Sequence, residues 1–340
     1  MCAQKRGASG LCLVVGVDKP TGMSSHDVVN RCRRIFGERR VGHTGTLDPL
    51  ASGVLPICIG PATRLDAYMT AHDKRYVVDV VFGTATDTDD CDGEPIRLSE
   101  VPEHIFSSEF ALGFVAKLVG PHKQLPPVYS AIKVGGVKAC DAARKGVVIE
   151  LEPREVEVYS ADLIEVFEQE QTGAAVWRIA FSVSKGTYIR SLARDIGNSL
   201  GCPAHVGALR RLEAGPIGIA DCVSLETLEE LGVKAALDPV RLLGYRLCFI
   251  DERQNKAVSN GNFLKPEDVS ICEYRYPRSE YDLCACTSGV RTSEKPLLDG
   301  EIICLVAENR LAALYEFDAN RHLLRPRCNF QTGVIRGGNL

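Results

Sequence analysis

VGHTGTLDPLASG, residues 41–53, contains one formally charged side chain, Asp48, and no other occurs between Val41 and Thr63. Pro49 pushes Asp48 toward extended geometry. Gly42, Gly45 and Gly53 let the backbone turn and let something large come close. A single carboxylate held in a rigid, open loop is a candidate for chemistry, although an isolated Asp-Pro pair is more often simply a turn. Immediately upstream lies the strongly basic RCRRIFGERR, residues 31–40.

Outward from this loop, LCLVVGV (11–17) reads as a buried strand. SHDVVNRCRRIF fits an amphipathic helix with Ser25 as N-cap, with Val28, Val29, Cys32, Ile35 and Phe36 on one face and Arg31, Arg33 and Arg34 opposite. RYVVDVVFG (75–83), VVIEL (147–151) and AAVWRIAFSVS (174–184) have strand composition. TYIRSLARDIGNSLG reads as a helix with Ile189, Leu192, Ala193, Ile196 and Leu200 inward and Gly201 as its stop. Strands and helices alternate without a fixed βα repeat, which favours an α+β fold. From about residue 250 short apolar runs such as EIICLVA and LAALYEF suggest a small β-rich appendage. The expected division is 10–250 and 251–340.

At 340 residues, 45% hydrophobic and 25% charged, the chain has the composition of an ordinary globular protein. Its 14 cysteines form no C-x-x-C pair; Cys284 and Cys286 are the nearest two, and the rest are scattered through apolar runs, as reduced core thiols would be. The N-terminus is a poor signal peptide and no run approaches a membrane span, so a cytoplasmic protein is expected. The net charge of −4 argues against nucleic acid, yet it is unevenly spread. Acid collects in 87–94 and 150–170. Base collects in 31–40, 122–138 and 185–212, which can present a basic face, although any one such run is more often a solvated helix surface.

Several chemistries lack their motifs. There is no Walker loop, G-x-G-x-x-G, H-E-x-x-H or G-x-S-x-G. DTDDCDG superficially suggests a calcium loop, but Cys91 and Asp92 stand where an oxygen ligand and the sharp-turn glycine belong, and Leu98 replaces the bidentate Glu. No metal and no nucleotide cofactor are expected.

The order G-H-T-G-T-L-D-P-L-A-S-G-V-L resembles the central signature of the TruB-type tRNA pseudouridine synthases. VDKPTGMSSHDVVNRCRR is similar to that family's opening motif. DKRYVVDVVFGTATDTDDCDGE resembles the segment carrying its active-site tyrosine, LPPVYSAIKVGGVKACDAARKG the next block, and SKGTYIRSLARDIGNSLGCPAHVGALRRL the block supplying the aspartate's basic partner. These blocks span residues 14 to 212 in family order. The C-terminal part resembles the family's PUA-like RNA-binding appendage only loosely. The resemblance implies a mixed or antiparallel-sheet catalytic domain followed by a small β-rich PUA-like domain.

It also implies a reaction: uridine 55 in the TΨC loop of tRNA becomes pseudouridine, the base leaving C1′, turning and rejoining through C5, with no cofactor. By the resemblance Asp48 is the nucleophile, attacking base or sugar. A nucleophilic carboxylate must be ionised although burial under a base opposes this, so a cation is needed; Arg190 is the family's candidate. Tyr76 is carried over as the residue that stacks on the target base and serves in proton transfer, the stacking role being the safer because a tyrosine with a pKa of ~10 is a weak base. The uridine must be flipped out of its stack, and His43 corresponds to the residue that meets RNA near it. Lys19, Lys133, Tyr188 and Leu209 lie in matching blocks and would line the pocket or track phosphates. Asp90 would order RNA contacts or, by default, be solvated. The partner is tRNA, met by a monomer.

Other readings remain beside this one. A guide-RNA-dependent relative of the same family would modify other RNAs within a ribonucleoprotein. A non-catalytic RNA-binding or RNA-folding module would keep the fold without turnover. An Asp-dependent glycosidase would need a second carboxylate ~5–9.5 Å from the first.

Overall fold

In a computed structural model the described residues are 9–70, 72–130, 132–147, 149–274, 290–293 and 295–338. Among them two large sheets organise the chain, one of ten strands and one of six. The first runs Cys222–Val223, Leu13–Lys19, Ala51–Ile59, Ala204–Ala214, Lys74–Phe82, Ala175–Val183, Arg154–Glu168 and Gly120–Gln124, with two short strands paired off this path. Leu13–Lys19 pairs in parallel with Cys222–Val223, and Ala204–Ala214 with Ala51–Ile59, while the other pairs are antiparallel, so the sheet is mixed. The fold is α+β.

The period-two pattern of each strand decides its faces. Val15, Val17, Leu55, Ile57, Val78, Val80, Ile179 and Phe181 pack against the Ser25–Phe36 and Ile189–Ser199 helices through Val28, Cys32, Leu192 and Ile196. Alternate residues Cys12, Val14, Val54 and Cys58 form a second core with Leu247, Cys304, Leu314 and Val334 of the six-stranded sheet. That sheet is ordered Val290–Thr292, Ile271–Tyr274, Leu247–Phe249, Ile302–Ala307, Arg310–Asp318 and Leu323–Ile335. It begins at Leu247, and its last strand returns to the first sheet, where the Ile335 N–H donates to the Cys12 carbonyl at 2.8 Å. No helix among the described residues is long and apolar enough to cross a membrane.

Two local expectations change. The first helix is capped by Ser24, not Ser25: the Ser24 hydroxyl accepts from the Asp27 N–H at 3.2 Å, and the Asp27 carboxylate accepts from the Ser24 N–H at 2.9 Å. That reciprocal box outcompetes a cap one residue later. Residues 147 and 149–151 form no strand; the strand starts beyond Pro153, at Arg154, and runs to Glu168. Its acidic side chains had hidden it, because Glu155 and Glu157 face solvent while Val156 and Val158 alternate inward. The eleven described cysteines are free thiols, eight of them buried. Cys284 and Cys286 lie outside the described residues.

Candidate active site

One transverse row of the first sheet sets the site. Lys19 pairs with Gly53, Gly53 with Arg211, Arg211 with Tyr76, and Tyr76 with Phe181. The row crosses four strand boundaries at the sheet end where the 44–50 loop folds over. At Gly53 the backbone has φ +102°, and a Cβ there would sit 2.1 Å from the Arg211 carbonyl oxygen, so only glycine fits.

The loop is fastened from three sides. Ser25, displaced from the cap, uses its hydroxyl twice on Leu47: it donates to the carbonyl and accepts from the N–H, both at 2.8 Å. The Arg211 guanidinium is buried and donates to the carbonyls of Val54 at 2.7 Å and Gly45 at 3.0 Å. The Lys19 amine is also buried and donates to the carbonyls of Pro20, Met23 and Pro49 at 2.9, 2.5 and 3.4 Å. Lys19 therefore braces the loop through the Pro49 carbonyl. Burial pulls its pKa down to about 8, against the pull of the Asp48 carboxylate.

Asp48 and Arg190 meet. Arg190 Nε lies 3.0 Å from Asp48 Oδ2, the Arg190 side chain being 6% exposed and that of Asp48 36%. The cation is hidden while the carboxylate keeps one open side. Arg190 Nη1 lies 3.3 Å from Asp90 Oδ2 and donates to the Thr88 carbonyl at 2.9 Å; Nη2 donates to the Tyr129 carbonyl at 2.9 Å. A planar guanidinium held at all three nitrogens has little orientational freedom left. Burial raises the Asp48 pKa; Arg190 opposes this, Asp90 adds to it, and Lys19 opposes it more weakly. The result is a carboxylate whose pKa lies above its ordinary value, with its cation at contact distance.

Asp90 is not a solvated loop acid. It is buried, its Oδ1 accepting from Thr88 Oγ1 at 2.5 Å while the Thr86 hydroxyl donates to its carbonyl at 2.6 Å. The acidic run had masked it as surface charge, because a buried Arg190 was needed to give that carboxylate a partner. Tyr76 is 8% exposed and sits in the core row beside Arg211. Tyr188 immediately precedes the Arg190 helix, and its backbone N–H and carbonyl are both bonded to the Gln124 side chain, at 2.8 and 3.0 Å. Leu209 is buried, opposite Ala51 and Val78. Lys133 lies on the short Lys133–Val134 strand, and its side chain is outside the described residues.

His43 ends the short Val41–His43 strand that leads into the loop. It lines a pocket of about 350 Å³ with Arg33, Arg39, Arg40, Thr63 and Asp66. Its Nδ1 is buried without a hydrogen-bond partner, and burial lowers its pKa. The basic run 185–212 contributes less open charge than its composition suggests. Arg190 and Arg211 are buried, Arg190 pairing with Asp48 and Asp90 and Arg211 donating to backbone carbonyls, while Arg210 pairs with Asp18 at 2.8 Å and Arg194 with Asp89 at 2.9 Å. Arg39 and Arg40, which line the His43 pocket, are exposed. Sequence reasoning missed the part played here by Ser25, Arg211 and the Thr88 and Tyr129 carbonyls; the spacing of Arg190 and Arg194, one turn apart on one helix, is the signal that could have pointed to the acidic loop.

Against known proteins, residues 33–189 match the model of the TruB family pseudouridylate synthase N-terminal domain, and residues 190–242 that of the tRNA pseudouridylate synthase B C-terminal domain. The chain is 40% identical over 258 residues to the tRNA pseudouridine synthase B of Geobacillus thermodenitrificans strain NG80-2, covering 74% of this chain and 85% of that protein. It is 44% identical over 217 residues to the enzyme of the same name from Nitrosococcus oceani, covering 63% and 67%. Its fold is similar to that of an H/ACA ribonucleoprotein bound to a substrate RNA containing 2′-deoxyuridine, with a TM-score of 0.59 at 20% identity over 94% of this chain and 84% of that one. A Cbf5-Nop10-Gar1 complex gives 0.58 at 24% identity over 92% and 79%.

Proposed function

The chain belongs to the TruB family of pseudouridylate synthases, and on that premise we propose that it converts uridine 55 in the TΨC loop of tRNA to pseudouridine, with Asp48 as the nucleophile. The observation that carries this reading is the open Asp48 carboxylate seated on the buried, fully engaged Arg190. In the isomerisation the bond between N1 and C1′ breaks and one between C5 and C1′ forms; the C5 proton leaves and N1 ends protonated, so mass and oxidation state are unchanged. The site has a residue for each need. Asp48 attacks the base or the sugar, Arg190 keeps it ionised and aimed, and Tyr76 stacks on the extruded base beside the proton that moves. Tyr188 and Leu209 complete the pocket wall. The protein acts as a monomer in the cytoplasm.

The test is turnover of a bare, unmodified TΨC stem-loop by the purified protein. Product at the position of uridine 55 is expected with no added RNA; strict dependence on a guide RNA would favour the ribonucleoprotein reading, and binding without product the non-catalytic one.

The pocket around His43 is the surface this reading assigns to RNA. Arg39 and Arg40 are exposed at its rim, the Arg40 Nε donating to Thr63 Oγ1 at 2.7 Å. Backbone phosphates there would release counterions on binding. Replacing both arginines by alanine is expected to weaken tRNA binding and to flatten the plot of log affinity against log salt by about 1–2. An unchanged slope, measured by filter binding across a salt series, would remove the pocket from the interface.

A further inference from the structure

Asp89 and Asp90 are adjacent in sequence, yet both carboxylates reach the same helix. Asp90 meets Arg190, and Asp89 Oδ2 lies 2.9 Å from Arg194 Nη1. Neighbouring residues in an extended chain point to opposite sides. Here Asp89 has φ +61°, the left-handed region that aspartate tolerates better than most residues, and the turn brings both acids to one side. The loop is then stitched to the Ala204–Ala214 strand: the Val206 N–H donates to the Asp89 carbonyl at 3.0 Å and the Cys91 N–H to the Val206 carbonyl at 2.9 Å.

Arg194 holds a second segment as well. Its Nη2 donates to the Leu125 carbonyl at 2.8 Å, which also accepts from Ser191 Oγ at 2.8 Å, and its Nε lies 3.1 Å from Asp195 Oδ1. One guanidinium therefore fastens both segments, 87–94 and 124–130, whose Thr88 and Tyr129 carbonyls grip the Arg190 fork. Arg194 is 23% exposed, and the partners of its guanidinium are Asp89, Asp195 and the Leu125 carbonyl, not Asp48.

We propose that Arg194, paired with Asp89, is a positioning residue for the isomerisation: it holds the two carbonyls that aim Arg190 at Asp48. The inference rests on the reading of Asp48 and Arg190 as the reacting pair. The charged groups acting on Asp48 are Arg190 from the helix, Asp90 and Asp92 from the loop, and Lys19 from the first strand. Loosening Arg190 leaves the two loop acids less opposed, so ionised Asp48 becomes costlier.

The experiment is steady-state kinetics on unmodified tRNA across pH with Arg194→Met, Arg194→Lys and Asp89→Asn. Arg194→Met is expected to lower kcat about tenfold with KM changed by less than about twofold, and to move the acid limb of kcat to higher pH. Lysine should recover about half of the lost rate, since it restores the charge but not the fork. Asp89→Asn should move the acid limb in the same direction, and combining it with Arg194→Met should add little. If Arg194→Met does not fold, Asp89→Asn and Arg194→Lys carry the same test. A lowered melting temperature with kcat and acid limb unchanged would overturn the inference and make the pair merely structural. Wild-type turnover by Asp48→Asn would instead sink the underlying site reading, so the two failures are distinguishable.

Discussion

Asp48→Asn is expected to lower kcat for pseudouridine formation by at least about 10⁴-fold, as loss of a nucleophile commonly does, while tRNA affinity stays within about threefold of wild type. The amide keeps the shape and the loop but cannot attack. The pH behaviour gives a second signature. Asp48 titrates above the ordinary carboxylate value, burial being the main cause, so the acid limb of wild-type kcat should lie above the range of an exposed aspartate. The same shift sets the sign for stability. A carboxyl whose folded pKa is raised favours the native state while neutral; that contribution is full below the ordinary value and is lost as pH rises through the raised one. At pH above that raised value the ionised group burdens the fold, and there the asparagine variant should melt no lower than wild type. Turnover near the wild-type rate in a carbodiimide-based pseudouridine assay would refute the nucleophile assignment.

Arg190→Met should be damaging in both respects. It leaves the buried Asp90 and the half-buried Asp48 without their shared cation and the Thr88 and Tyr129 carbonyls without donors. Removing one partner of a buried ion pair typically costs about 3–5 kcal/mol. Loss of the group that keeps the nucleophile charged and aimed should lower kcat by about 10²–10³-fold. Arg190→Lys restores the charge, but three rotating donors do not reproduce a planar fork reaching four acceptors, so partial stability with poor turnover is expected. Chemical denaturation together with single-turnover kinetics on the two variants checks this. A methionine variant as stable as wild type would show that the ion pair is not the structural centre described here.

Much of this site was legible in the residues. Asp48 stood out as the lone charge in a glycine-rich loop, and the apolar periodicity of 189–200 placed a helix whose first turn carries Arg190. What stayed hidden was decided by tertiary contacts. Periodicity cannot tell a solvated helix arginine from one whose guanidinium lies under a loop, and only the fold brings 48, 90 and 190 together. Ser25 was misread because two consecutive serines offer the same cap, and the choice depends on Asp27 reaching back and on Leu47 waiting for the other hydroxyl. The Arg154–Glu168 strand was missed because charge was read there and alternation was not. Carbonyl acceptors such as those of Thr88 and Tyr129 leave no mark on a sequence at all.

On the underside of the ten-stranded sheet Cys12, Val14, Val54 and Cys58 share one core with Leu65, Met69, Val240 and Leu243 of the preceding chain and with Leu247, Cys304, Leu314 and Val334 of the six-stranded sheet. Because that core is shared, loss of the six-stranded sheet is expected to lower the melting temperature of the remainder. A truncation at residue 250 is expected to expose part of this apolar core and to make the fragment prone to aggregation.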